Sequence, residues 1–247
     1  MEIKRGSVTP VDLTGQAGGD YIRNDGGVWK PKTPSEVLQN IVMTDQFQAI
    51  TGYHFTETAV TNSGVVGADA KTRKVLVDSG TTANSTARAS TRVMGFNAGT
   101  HQSFISFDAF TILHLVISKY DDTSTGVFWA YYGNIYDDAV ADPESKGIGL
   151  RIDYRAIKGI VHDGATLTAV DLATDTTLRL PMIYDIVSHG NGTVDWYING
   201  ALKGTTNSGP VGQSDGGAGA MRYFLTNGAN AASHRFDIYQ TRMYVKQ

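Results

Sequence analysis

The sequence contains no cysteine, which excludes structural disulfides and thiolate-bound metal ions. It also has no run of about 20 apolar residues, the length that a membrane-spanning helix needs. The first residues, Met1–Arg5, lack the apolar core of a signal peptide. We therefore expect a protein that is made in the cytoplasm of its host, carries no export signal and does not insert into a membrane.

Clusters of one charge are missing as well. The 247 residues include 21 Lys and Arg and 24 Asp and Glu, which gives a net charge of −3, and the basic residues are scattered singly along the chain. Nucleic-acid-binding surfaces are usually marked by clustered Lys and Arg. We expect no nucleic-acid partner.

The sequence is rich in turn residues, with 28 glycines, and its short apolar segments are separated by Gly, Ser, Thr and Asn. Helix-forming stretches are sparse, so the pattern predicts an all-β, antiparallel two-sheet β-sandwich over residues 45–247 and excludes a parallel βαβ fold. The predicted strands cover residues 74–77, 92–96, 103–107, 110–118, 127–132, 147–154, 157–162, 166–172, 178–188, 193–199, 221–225 and 235–245.

Residues 1–44 read as a short extended N-terminal arm, because Gly and Pro interrupt very short apolar groups. An Asn-Asp-Gly-Gly turn at 24–27 predicts a small hairpin, and the segment from Thr33 predicts a short helix. The apolar stripe of that helix needs a partner, which is either the sandwich or further copies of the chain. The candidate attachment or oligomerisation residues are Tyr21, Ile22, Val28, Trp29, Leu38 and Ile41.

The sequence contains no recognisable catalytic or metal-binding motif. There is no E-x-D-x-x-E pair of the kind that retaining glucanases use, no nucleophile elbow, no phosphate loop and no H-x-x-x-H spacing among the six histidines. We expect no enzymatic activity, no cofactor and no metal. The acidic cluster is interpreted as a solvated loop, with a catalytic or calcium role as the alternative; it comprises Asp137, Asp138, Asp142 and Glu144.

Two segments predict aromatic and polar side chains on outward strand faces. In 128–132, Trp129 and Tyr131 alternate with Phe128 and Tyr132, so one pair should point away from the core. In 193–200, apolar and polar residues also alternate. Sugars stack on aromatic rings and bind amides and carboxylates, so the glycan-face candidates are Trp129, Tyr131, Asp195, Tyr197 and Asn199. The alternative is that both faces are covered, one by the other sheet and one by a loop or a neighbouring subunit.

Residues 194–204 resemble the hairpin of concanavalin A-like lectin/glucanase domains, whose strand reads apolar-x-aromatic-aromatic-apolar-Asn-Gly before the turn. Residues 147–153 with 159–165 resemble a strand pair of such domains in bacteriophage structural proteins, and residues 19–29 are similar to short segments of tail-fibre and other virion proteins.

The resemblance implies a jelly roll in a non-enzymatic virion protein of a tailed bacteriophage. The arm would attach it to other virion proteins, homotrimerisation would follow, and the sandwich would bind a host-surface glycan or decorate the particle. The alternatives are a cellular carbohydrate-binding module or lectin, and a diverged glucanase or polysaccharide lyase.

Overall fold

A computed structural model describes residues 21–25, 28–32, 43–45, 55–69, 74–91, 106–120, 126–134, 142–174, 180–213 and 219–246. These residues form strands and turns and contain no helix, so none of them belongs to a helix that could cross a bilayer. Every strand pairing among them is antiparallel. The predicted all-β, antiparallel two-sheet sandwich is confirmed.

The strands are β1 (Tyr21–Asp25), β2 (Val28–Lys32), β3 (Met43–Asp45), β4 (Phe55–Thr61), β5 (Val65–Asp69), β6 (Lys74–Asp78), β7 (Thr86–Thr91), β8 (Phe110–Lys119), β9 (Val127–Asn134), β10 (Gly147–Asp153), β11 (Ala156–His162), β12 (Leu167–Thr174), β13 (Met182–Ser188), β14 (Val194–Ile198), β15 (Ala201–Thr206), β16 (Gly219–Thr226) and β17 (Arg235–Lys246). One sheet has seven strands in the order β12-β11-β10-β9-β16-β7-β4, and the other has eight, in the order β15-β14-β13-β8-β17-β6-β5 with β3 beside β17.

The two sheets enclose one large apolar core. Phe128 of the seven-stranded sheet stacks on Phe236 of the eight-stranded sheet, with ring centroids 4.1 Å apart. Trp196 of β14 crosses the interior in the same way and donates its indole N–H to the carbonyl of Gly149 at 3.0 Å. Its ring lies directly over Gly159 of β11. Side chains of alternate residues therefore lock the sheets face to face.

The last strand changes its inward parity part-way along. Phe236 and Ile238 face the core, a register shift follows between Ile238 and Gln240, and Thr241 and Met243 are then the buried residues. Such a shift is a β-bulge, in which one extra residue resets the alternation of the strand. Because of it, the residues that alternate with Thr241 and Met243 face outward.

The N-terminal segment is described only in part. β1 and β2 pair in the register Tyr21 with Lys32 and Asn24 with Trp29, at the place where the sequence predicts a hairpin. The predicted helix from Thr33, with Leu38 and Ile41, lies outside the described residues, as do the predicted strands at 92–96 and most of 103–107. β3 spans the predicted boundary at residue 44 and pairs with β17, and the division into arm and sandwich stays a prediction.

Candidate functional site

The five glycan-face candidates lie on two different sheets. Trp129 and Tyr131 belong to β9 of the seven-stranded sheet, and Asp195, Tyr197 and Asn199 belong to β14 and its turn in the eight-stranded sheet. Alternation puts both sets on the outward side of their sheet, because their neighbours in the sequence fill the shared core. The sandwich separates the two sets, so they do not form one surface.

Trp129 and Tyr131 point away from the main core, but their rings are almost fully covered, with 5% and 4% of each residue exposed. They form a second apolar cluster with Ile160, against which Phe224 packs; the rings of Trp129 and Phe224 are 5.3 Å apart. The Trp129 indole N–H has no hydrogen-bond partner among the described residues. Both rings pack as interior residues do.

The ring of Tyr131 packs against three glycines. A Cβ at Gly133, Gly147 or Gly149 would come within 3 Å of its ring atoms, so side chains there would displace the ring. Its hydroxyl donates to the carbonyl of Ser145 at 2.5 Å. The burial of Tyr131 therefore depends on the glycines and the Ser145 carbonyl that surround its ring.

Arg151 lies over the Trp129 ring, 5.4 Å from its centroid, and pairs with two carboxylates. Its Nη1 is 2.6 Å from Asp142 Oδ1 and its Nε is 2.8 Å from Asp153 Oδ1. Of the acidic cluster in the sequence, Asp142 is therefore ion-paired, Glu144 is exposed, and 137–138 lie outside the described residues. The described residues contain no group of three or more His, Asp or Glu that could hold a metal ion.

Asn199 serves the hairpin between β14 and β15. It has a positive φ of 50°, followed by Gly200 at 79°, as a two-residue turn of the primed type requires. Its backbone N–H donates to the carbonyl of Ile183 at 2.8 Å, and its side-chain oxygen accepts from the N–H of Ile183 at 3.0 Å. These two bonds continue the β13–β14 ladder, so the backbone N–H and the side-chain oxygen of Asn199 are engaged within the fold.

Asp195 is enclosed by hydrogen bonds on the outward face of β14. Thr205 donates its hydroxyl to Oδ1 at 2.5 Å, and His189 Nε2 lies 2.8 Å from Oδ2. Burial raises the pKa of Asp195, but the hydrogen bonds from Thr205 and His189 and the charge of His189 outweigh it, and the pKa is lowered. The carboxylate is therefore held in its ionised form.

A row of polar residues crosses four strands of this sheet at one level. Tyr197 of β14 lies opposite Asp185 of β13, which lies opposite His114 of β8, which lies opposite Arg242 of β17. Tyr244 is two residues further along β17 on the same side, and all five side chains are partly buried. We call Tyr197, Asp185, His114, Arg242 and Tyr244 the tyrosine face.

Hydrogen bonds order the centre of the tyrosine face. His114 Nδ1 is 2.7 Å from Asp185 Oδ1. With the Gln240 amide oriented to satisfy both of its ends, its oxygen accepts from Arg242 Nη2 at 2.6 Å and Nε at 2.9 Å, and its nitrogen donates to His114 Nε2 at 3.3 Å. In this orientation the Gln240 amide bridges Arg242 and His114. His114 is thus a partly buried residue of β8 whose two ring nitrogens both have partners.

The two tyrosines at the ends of this face keep their hydroxyls available. Neither Tyr197 nor Tyr244 forms a side-chain hydrogen bond with any part of the chain that the structure describes. A partly exposed ring with an unused hydroxyl can stack on an apolar surface and hydrogen-bond at its edge. The tyrosine face thus combines two such rings with ordered polar groups between them.

Five residues of this region were not among the sequence candidates: His114, Asp185, Gln240, Arg242 and Tyr244. The alternation of Gln240, Arg242 and Tyr244 is visible in the sequence, but their direction depends on the bulge before them. Asp185 alternates with the buried Tyr184 and Ile186, so its outward direction could have been read from that pattern.

No family model matches the sequence, and no curated protein matches it. Solved structures do match in fold. The carbohydrate recognition domain of Emp47p superposes with a TM-score of 0.53 at 12% identity, covering 83% of this chain and 97% of that one. A protein solved in work on endo-acting O-glycanases of the human gut microbiota has a TM-score of 0.57 at 10% identity, covering 84% of this chain and 100% of that one.

The binding domain of botulinum neurotoxin DC, solved with rat synaptotagmin II, has a TM-score of 0.50 at 10% identity and covers 90% of this chain and 47% of that one. At such identities the likeness defines the fold alone, which is the lectin-like jelly-roll sandwich that the hairpin at 194–204 predicted. Proteins that bind carbohydrate, cleave glycans and bind protein use this fold, so function has to be argued from the residues of the site.

Proposed function

We propose that this protein is a non-enzymatic carbohydrate-binding module whose glycan site is the tyrosine face. The observation that carries the proposal is the pair of partly exposed rings, Tyr197 and Tyr244, with unused hydroxyls at the two ends of an ordered polar row. Sugar-binding surfaces need apolar ring faces for stacking together with a few fixed polar groups for orientation. The lectin-like fold of the structural relatives is consistent with this use.

The dimensions of the face suit an oligosaccharide. Tyr197 and Tyr244 are separated by three strand spacings across the sheet and by one side-chain repeat along it, which corresponds to about 16 Å between their backbones. That distance exceeds one sugar ring, so the two tyrosines would hold different sugars of one chain. Asp185 and His114 lie between them and would hydrogen-bond the sugars that span the gap.

The test is a glycan array followed by calorimetry with the best glycan, using Tyr197→Ala and Tyr244→Ala. Because each change removes a stacking ring, we expect binding at least about fivefold weaker, corresponding to about 1 kcal/mol. Tyr120→Ala is the matched control, since Tyr120 is 40% exposed and lies outside the tyrosine face. Equal affinity of both variants and the native chain would place any glycan site elsewhere.

Self-association is a second candidate use of the same region. Ile183 and Leu202, beside Tyr197, are 39% and 54% exposed, and exposed apolar side chains that adjoin one another favour a protein contact. Light scattering of the native chain and of Ile183→Ser with Leu202→Ser tests this use. A native oligomer that dissociates in the double variant supports it, and an unchanged mass contradicts it.

The virion role rests on the resemblance of residues 19–29 to virion proteins and on the hairpin of β1 and β2 in that segment. We propose that the chain is a structural protein of a tailed bacteriophage, attached to other virion proteins through residues 1–44, with Tyr21, Ile22, Val28 and Trp29 among the attachment residues. Deleting residues 1–40 keeps β3 and should turn a trimer into a monomer by light scattering. If the full chain is itself a monomer, the cellular lectin alternative gains instead.

A further inference from the structure

The guanidinium of Arg242 lies on the tyrosine face without a carboxylate partner among the described residues. Its guanidinium bonds only to the neutral amide of Gln240, and it forms no ion pair with the described residues. Asp185, the acid of the same face, is engaged by His114. Arg151, by contrast, pairs with both Asp142 and Asp153.

The free edge of Arg242 has a defined direction. Gln240 takes the edge formed by Nε and Nη2, so the edge formed by Nη1 and Nη2 stays open. An open guanidinium edge matches the two oxygens of a carboxylate, which it binds through two parallel hydrogen bonds. Gln240 therefore acts as a positioning residue that fixes the plane of this edge.

A glycan bound across this face would cover Arg242 and remove water from it. Burying a charge without a partner is costly, whereas burying it against a carboxylate recovers much of that cost. The other charged neighbours do not supply the partner, because Asp195 in the next row is already bound by Thr205 and His189. A neutral sugar would leave the guanidinium unpaired.

We infer that the glycan bound by the tyrosine face is acidic and that Arg242 binds the carboxylate of a uronic or sialic acid unit. This inference rests on the proposed glycan-binding function and adds its substrate class. The ligand lies with its carboxylate on the Nη1–Nη2 edge, its neighbouring sugar against Tyr244, and the rest of the chain toward Tyr197.

The experiment compares acidic probes with neutral partners of the same skeleton on the native full-length protein. The pairs are an oligogalacturonate with its methyl ester and sialyllactose with lactose, within a broad panel of neutral and acidic glycans. Since charge-assisted bidentate bonds are lost with the carboxylate, we expect at least one acidic probe to bind about 10- to 100-fold more tightly than its neutral partner. Added salt should reduce this preference.

The variants assign the preference to Arg242. Arg242→Gln should abolish the preference for the acid, and Arg242→Lys, which keeps the charge but loses the planar edge, should retain part of it. Lys203→Gln is the control, because it removes the same charge from an exposed residue of β15. Circular dichroism melting confirms that each variant is folded.

The outcomes separate the two proposals. Equal binding of acidic and neutral probes, with binding that Tyr197→Ala and Tyr244→Ala weaken and Arg242→Gln does not, overturns the acidic-glycan inference and leaves the glycan site in place. Failure of the native protein to bind any glycan of the panel overturns both. An acid preference that survives in Arg242→Gln overturns the assignment to Arg242.

Discussion

Gly159→Ala is the sharpest test of how the two sheets fit together. A Cβ at Gly159 would lie 2.3 Å from Cε2 and 2.4 Å from Cδ2 of Trp196, well inside the contact distance of two carbon atoms. Trp196 is 1% exposed, so its ring has no free space into which to retreat. The alanine can be accommodated only if the ring and the strands around it shift.

The expected cost follows from two contributions. Overpacking a well-packed core by one methyl group costs about 1–3 kcal/mol. Moving the indole also strains or breaks its hydrogen bond to the Gly149 carbonyl, which adds about 1 kcal/mol. We expect Gly159→Ala to lower the free energy of unfolding by about 2–4 kcal/mol in total, or the Tm by about 4–16 °C for a domain of this size.

Urea denaturation followed by circular dichroism measures this change. Gly67→Ala is the matched control, because a Cβ at Gly67 of β5 would meet its nearest atom, in the Leu76 side chain, at 3.5 Å, an ordinary contact. That control should be neutral or slightly stabilising. In a Trp196→Leu background the penalty of Gly159→Ala should shrink, since the clash is gone. A Gly159→Ala protein within about 0.5 kcal/mol of the native one would refute this account of the interior.

Two further predictions concern β14. Asn199→Gly keeps the positive φ but loses the acceptor for the Ile183 N–H, so it should lower the free energy of unfolding by about 1 kcal/mol. Asn199→Ala also strains the backbone and should lower it by about 2 kcal/mol. Urea titration measures both variants, and equal costs would contradict the turn geometry. The lowered pKa of Asp195 gives a stability contribution that is present above the unfolded value, about 3.9, and is lost as the pH falls through the lowered value. The stability gap between the native chain and Asp195→Asn should therefore close as the pH is lowered below about 4, and a gap that stays constant there would show that the hydrogen bonds do not favour the ionised form.

Regular alternation of apolar and polar residues along the strands made much of the fold predictable. β14 and β10 have apolar residues at every second position, and Val194, Trp196 and Ile198 are all buried as expected. β7 was missed because its sequence, Thr-Ala-Arg-Ala-Ser-Thr, contains no large apolar residue. Its alanines are fully buried opposite Tyr223 and Leu225 of β16, where small side chains are needed beside large ones.

The candidate site was harder to predict because exposure depends on residues distant in the sequence. The alternation of the strand correctly predicts that Trp129 and Tyr131 point outward. The glycines against which the Tyr131 ring packs, however, come from the next strand as well as its own, and only the strand register shows that they are neighbours. In the same way, the contact of Arg242 with His114, through Gln240, depends on the β8–β17 pairing. A single sequence does not contain such pairings in readable form.

The bulge in β17 decides which chemistry the outer surface carries. If the alternation set by Phe236 and Ile238 continued without it, Arg242 and Tyr244 would turn toward the interior and Thr241 and Met243 toward solvent. One inserted residue thus keeps Phe236, Ile238, Thr241 and Met243 on the core side of the strand and leaves Arg242 and Tyr244 on the outer side. In any related chain, the presence of that extra residue between the two halves of the final strand should therefore be a better sign of this surface than the identity of its side chains.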